Sequence, residues 1–139
     1  MIFAYSIIQN LLIQSFRSMA IHNDTGKAGE KAAAQFLVQK GYEILDENWV
    51  FRKSEVDIVA LQSNTIIFIE VKTRSSIAFG MPEEFVSEAK QRQLELAAQA
   101  YIEIMDHKGE IRFDIVAVLL TKDNQFKINH IEDAFWPYA

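Results

Sequence analysis

The chain has 139 residues, 50% of them hydrophobic, and carries a formal net charge of −5. That is one domain's worth of sequence with a substantial core, and the absence of cysteine excludes disulfides, thiolate metal sites and a cysteine nucleophile while fitting the cytoplasm. The acidic balance excludes a nucleic-acid binder that works by bulk basicity but leaves room for a local basic patch. His22, His107 and His130 are too scattered for a zinc site, so any metal here would be held by oxygen.

Residues 1–20 differ in character from the rest of the chain. Ile7, Ile8, Leu11, Leu12, Ser15 and Phe16 fall at helical spacing, with Arg17 the one charge among them, which suggests a short amphipathic helix. Polar residues interrupt the run too often for it to span a bilayer, and it lacks a basic leader and cleavage site, so no membrane anchor is expected. Met19 opens what reads as a domain start, which makes residues 1–20 an extension and 21–139 a single domain.

From a cap at Asp24 or Thr25, helix formers run to Lys40 and stop at Gly41, a residue suited to the left-handed position after a helix. Glu30, Ala33, Ala34 and Leu37 share one stripe, so Glu30 either points inward with the small residues or simply complements the helix dipole. Tyr42 to Leu45 reads as a short strand, Asp46 to Asn48 as a turn, and Trp49 to Lys53 as a lead into the strand Glu55 to Leu61. Gln62-Ser63-Asn64 makes a tight hairpin into Thr65 to Val71. Asp57 shares a face with Val59 and Leu61, and Glu70 shares one with Ile66, Phe68 and Lys72; both faces should be buried. In a hairpin this tight Asp57 and Glu70 can sit at matching heights.

Thr73 to Glu84 reads as a loop beside these acids. A second helix runs from near Ser87 to about Asp106 with Lys90, Leu94, Ala97 and Tyr101 on one stripe, followed by strands at Ile111 to Leu120 and Gln125 to Ile131. The order predicts an α/β fold, a mixed central sheet flanked by helices. No repeat or second domain is visible.

Asp57 and Glu70 are suitable ligands for Mg²⁺ or Mn²⁺, and such an ion is what phosphodiester hydrolysis needs to neutralise the phosphate and supply a nucleophilic water. Lys72 could orient that water or offset developing charge, and Glu30 could add a third acid. The bland alternative is a Glu70–Lys72 ion pair with no catalytic role, and for a Glu-x-Lys tripeptide alone it is the stronger one. Asp57 and Glu30 tilt the balance towards a site.

With these residues in place, Gly29-Glu30, Glu55-Val56-Asp57, Phe68-Ile69-Glu70-Val71-Lys72 with Arg74, Phe79-Gly80, Lys90 and Arg112-Phe113-Asp114 resemble the signature of the YraN family, itself similar to the restriction-endonuclease-like PD-(D/E)XK nucleases and especially to archaeal Holliday junction resolvases. The resemblance runs from about Thr25 to Leu120. It implies a restriction-endonuclease-like αβββαβ core and Mg²⁺-dependent cleavage of DNA, with branched structures as a candidate substrate. It also implies Asp57 and Glu70 as metal ligands, Lys72 as the catalytic lysine and Glu30 as an additional acid from the first helix. Ser54 stands where the family has glycine, and Val56 where the superfamily motif has proline.

Arg74, Lys90 and Arg92 are candidates for contacts to DNA phosphates or else solvated surface charges. Asp114 reads as a partner for Arg112 or for a neighbouring strand rather than a metal ligand. Trp49, Phe135, Trp136 and Tyr138 offer either stacking surfaces or core packing. A non-catalytic nucleic-acid or protein interaction module that has kept the fold is the competing reading, and a homodimer is open in either case.

Overall fold

Small side chains at Ala28, Ala32 and Ala33, with Leu37 a turn further on, allow the first helix to lie flat against a sheet and bury that face. A computed structural model of the chain describes residues 22–75 and 86–136. In chain order it comprises α1 (His22–Gln39), β1 (Glu43–Phe51), β2 (Ser54–Gln62), β3 (Thr65–Arg74), α2 (Glu88–Ile104), β4 (Glu110–Leu120) and β5 (Phe126–Ile131). The five strands form one sheet in the order β1-β2-β3-β4-β5. Neighbours pair antiparallel except β3 and β4, which run parallel from Thr65–Glu110 to Arg74–Leu119. A parallel pair needs a crossover, and α2 supplies it. The expected mixed α/β architecture is therefore present, consistent with a restriction-endonuclease-like αβββαβ core extended by one antiparallel strand.

β3 is the centre of the molecule, and alternation along it sends side chains to two cores. Ile67, Ile69 and Val71 pack with Ala33 and Leu37 of α1, together with Ile58 and Ala60 of β2. Ile66 and Phe68 pack with Leu94, Ala97, Ala98 and Tyr101 of α2. Continuing that second face brings Glu70 and Lys72 out on the side of α2. The α1 helix ends as predicted at Gly41 (φ +94°). There the Tyr42 N–H donates to the Leu37 carbonyl and the Gly41 N–H to the Val38 carbonyl, the paired bonds of a Schellman ending.

Three local expectations are corrected. Helix α1 is already formed at His22, the first described residue, so Asp24 and Thr25 lie within it and do not cap it; cap preference is a weak prior that continued helical pairing overrides. The turn expected at Asp46–Asn48 is part of a continuous edge strand. A register shift between Ile44 and Asp46 and a left-handed Asn48 (φ 51°) absorb the turn-forming residues. Trp49 meanwhile docks edge-on to Tyr101, with ring centroids 5.0 Å apart, and the Tyr101 hydroxyl donates to Asp46 at 2.7 Å. Thr73 and Arg74, expected in a loop, extend β3 because β4 offers Val118 and Leu119 as partners. Ser54, standing where the family has glycine, is not among the positive-φ residues, so serine costs nothing there. The amphipathic segment in residues 1–20, most of the 75–84 stretch with Phe79-Gly80, and Tyr138 lie outside the described residues.

The helix α1 lies close against β3 at Gly29, where an added Cβ would overlap Thr73 Oγ1. Gly29→Ala is therefore expected to destabilise the protein by about 1–3 kcal/mol, with part of the loss recovered by adding Thr73→Ala. Urea unfolding of the two single variants and the double variant measures both effects.

Candidate metal and phosphodiester site

The β2–β3 ladder runs from Gln62–Thr65 to Ile58–Ile69 and stops there, although β2 begins at Ser54 and β3 continues to Arg74. The next residues on each strand are Asp57 and Glu70, level with one another as the hairpin geometry suggested. Instead of a further ladder bond, Asp57 Oδ2 accepts from the Val71 N–H at 2.8 Å. A side chain has taken the place of a backbone partner, which ties the Asp57 carboxylate to the backbone immediately beyond Glu70.

Glu70 is 7% exposed. Lys72 Nζ lies 3.5 Å from its Oε1 and Lys90 Nζ 3.9 Å from its Oε2. The Lys90 contact is an ion pair without a hydrogen bond, and among the described residues Glu70 Oε2 is a buried oxygen with no hydrogen-bond partner. Lys90 arrives from the first turn of α2, whose start is fixed by Ser87: its side chain accepts from the Lys90 N–H at 3.1 Å. Burial, then the negative charge of Glu70, push the Asp57 carboxyl up to about 8, against the lowering effect of the Val71 N–H; Glu30 adds to the rise and Lys90 opposes it.

Glu30 comes from α1, on the other face of the sheet, and belongs to the same electrostatic cluster. Its carboxyl is raised by burial and by the neighbouring charges of Glu55, Glu70 and Glu47, while a hydrogen bond from the Asn48 side chain favours its charged form. The structure thus brings together Glu30, Asp57, Glu70, Lys72 and Lys90. Arg74 stands half-buried at the end of β3, with Nη1 donating to the Thr73 carbonyl at 2.8 Å. Arg92 is exposed on α2, and positions two apart do not share a helix face, so it does not accompany Lys90.

Among the described residues no group of three or more His, Asp or Glu is placed to hold a metal ion on its own. Mg²⁺ does not need one, because it keeps several waters and commonly takes one or two carboxylates from the protein. Asp57 and Glu70 fit that requirement: two adjacent carboxylates, one with a buried oxygen that has no hydrogen-bond partner and the other held against ionisation by burial and by its neighbour.

Asp114 shows the opposite condition. It is fully buried and accepts from Arg112 Nε and Nη2 at 2.8 Å each, from His130 Nε2 at 2.7 Å and from the Asp133 N–H at 2.9 Å. Burial alone would raise its carboxyl, but these bonds outweigh burial and hold it below the ordinary carboxylate range. The expected pairing with Arg112 is therefore present, within a larger network that the sequence did not reveal. Lys40 Nζ lies 2.8 Å from His130 Nδ1; an ammonium only donates, so Nδ1 accepts and Nε2–H is left to serve Asp114. The Trp49 and Phe135 rings are packing groups, Phe135 stacking on Phe113 at 5.4 Å, and Trp136 meets Phe113 edge-on at 5.8 Å.

The family model described as "Uncharacterised protein family UPF0102" matches residues 29–118. The chain belongs to the UPF0102 family. This is the YraN family that the motifs resembled. A UPF0102 protein of Flavobacterium psychrophilum is 50% identical over 120 residues, covering 86% of this chain and 100% of that protein. One of Christiangramia forsetii is 47% identical over 118 residues, covering 85% and 98%. One of Caldanaerobacter subterraneus is 45% identical over 113 residues, covering 79% and 93%. The UPF0102 match spans Glu30, Asp57, Glu70, Lys72 and Lys90 alike. Among the described residues no helix is long and apolar enough to cross a membrane.

Two outcomes are expected from these electrostatics. Because the folded Asp57 carboxyl titrates near 8 and the unfolded one near 3.9, the native state holds the extra proton between those values, and stability falls as pH rises through that window. Thermal melts of the metal-free protein should show this decline, and Asp57→Asn should flatten it, raising Tm at pH 8 by roughly 3–6 °C with little effect at pH 4. Arg112→Ala strands a buried carboxylate and should cost about 3–5 kcal/mol in urea unfolding.

Proposed function

We propose that this UPF0102 protein is a divalent-metal-dependent nuclease of the PD-(D/E)XK type that hydrolyses DNA phosphodiester bonds in the cytoplasm, with branched or otherwise irregular DNA as its substrate class. The observation that carries the reading is the buried Glu70 Oε2, which has no hydrogen-bond partner, beside an Asp57 carboxyl raised by burial and by Glu70, with two lysines within 4 Å of the same glutamate. Buried charges are paired or coordinate metals, and adjacent desolvated carboxylates mark a candidate functional site.

Asp57 and Glu70 would hold Mg²⁺ or Mn²⁺, which supplies Lewis-acid neutralisation of the phosphate charge. Lys72 extends from the strand end beyond Glu70 and is suited to orient the attacking water and to offset negative charge as it develops on the phosphate. Lys90 adds a second cation from α2, and with Arg74 it serves to place the DNA backbone. Glu30 contributes negative charge from the opposite face of the sheet, which strengthens attraction for the cation. A homodimer would present two such sites to the two strands of a branched substrate.

The net charge of −5 supports a second reading, a non-catalytic interaction module on the nuclease fold. Both readings are separated by incubating labelled duplex, single-stranded and four-way-junction DNA with the protein in Mg²⁺ or Mn²⁺. The nuclease reading expects cleavage that falls at least about a hundredfold in Glu70→Ala and in Lys72→Ala. Cleavage indifferent to both substitutions would sink it, as would Mn²⁺ binding that leaves NMR signals around Asp57 and Glu70 unmoved.

A further inference from the structure

By local preference Asn48 is the end of a turn, with no role in the site. In the structure it is an exposed residue on the edge strand β1, flanked by the pairs Glu47–Ile58 and Trp49–Val56. It therefore lies opposite Asp57, and Asp57 is level with Glu70, so that Asn48, Asp57 and Glu70 mark one row across β1, β2 and β3. Asn48 has a φ of 51°. A left-handed residue within a strand interrupts regular pairing and is not needed to make a hairpin here, since β1 continues to Phe51 and the chain reverses only beyond it. Asparagine tolerates that conformation better than most side chains but does not favour it over extended backbone in a strand. Conformations of this kind persist where surrounding contacts hold them, and they cluster at functional sites.

The contact at Asn48 is a hydrogen bond from its side chain to Glu30 of α1. The surroundings of Glu30 make that bond consequential: the negative charges of Glu55, Glu70 and Glu47 on the strands, with burial, all favour its protonated form. Left to those neighbours, the Glu30 carboxylate would swing outward to solvent or take up a proton. The backbone of α1 is itself brought down on β3 by Gly29, where only a hydrogen fits against Thr73. Gly29 thus sets the depth of the helix, and a second element is needed to set the direction of the side chain.

We propose that Asn48 is a positioning residue of the site: its left-handed backbone turns the carboxamide from the edge strand towards α1, where it holds the Glu30 carboxylate beside the Asp57–Glu70 pair. The contribution of Glu30 to turnover rests on the proposed nuclease activity, whereas the link between Asn48 and Glu30 stands without it.

Asn48→Gly removes the carboxamide while keeping a residue that adopts positive φ freely. Asn48→Asp keeps the shape and the left-handed tolerance but replaces the donor with an acceptor. Carbon-13 NMR of the Glu30 side-chain carboxyl in the metal-free protein reads the link directly. Its titration midpoint should climb by about half a pH unit or more in Asn48→Gly and further in Asn48→Asp. A merely structural Asn48 would lower Tm and leave the Glu30 midpoint where it was, and that result in both variants overturns the proposal. In the cleavage assay, Asn48→Gly should lower kcat/KM about fivefold in the wild-type background and have little further effect in Glu30→Gln. Equal losses in the two backgrounds would also overturn it. If the wild-type protein cuts no DNA, the nuclease reading fails while the NMR titration still decides the role of Asn48.

Discussion

The bond from the Val71 N–H to the Asp57 carboxylate sets the geometry of the whole site. An antiparallel ladder that continued past Ile58–Ile69 would have satisfied that N–H with backbone and left the two strands flush. With a side chain as acceptor, β2 and β3 cease regular pairing at the level where their acids stand, while β3 goes on in register with β4 as far as Arg74. Everything else in the cluster depends on this change of partner. It fixes Asp57 beside Glu70, and it gives a glutamate from α1 and a lysine from α2 access to the same strand ends from opposite faces of the sheet.

The two helices reach that point for reasons set far from it. Alanines and Leu37 seat α1, and a glycine where it lies against Thr73 brings Glu30 near enough to interact with Glu70. Leu94, Ala97 and Tyr101 seat α2 on the other face, and Ser87 fixes where its first turn begins, so Lys90 has little choice but to lie against Glu70. Both cores share β3, whose alternating side chains feed each of them. A shift in either core would therefore be felt at the acids, which explains why a site made of side chains on four different elements can be held with little direct hydrogen bonding among its members.

Much of this was legible in the sequence because it rests on periodicity. The hairpin with its short Ser63–Asn64 connection, the inward stripe of α1, the stripe of α2 from Lys90 to Tyr101 and the parity that puts Glu70 and Lys72 on one face are all consequences of fixed repeats along helices and strands. What was missed rests on long-range partners. Asp46 and Asn48 are turn formers by local preference, and only the docking of Trp49 on Tyr101 and the pairing with β2 keep β1 extended through them. Arg92 looked equivalent to Lys90 as a charge, but it lies on a different face of the helix. The network that joins Lys40, His130, Asp114 and Arg112 spans a residue just beyond the end of α1 and residues of β4 and β5, and no local signal announces it.

Asp114 and Glu70 make an informative pair because burial treats them alike and their surroundings do not. Both are carboxylates on adjacent parallel strands, one residue out of register since Glu70 pairs with Ile115, so parity sends them to opposite faces. On the α1 face, Asp114 is given a bidentate guanidinium, an imidazole N–H and a backbone N–H, and the charge is fully answered by hydrogen bonds. On the α2 face, Glu70 has two ammonium groups at ion-pair distance, an oxygen without a hydrogen bond and a second carboxylate next to it. Desolvation is costly in both places, and the fold meets that cost at Asp114 from its own side chains. At Glu70 it supplies two ion pairs and leaves Oε2 without a hydrogen bond.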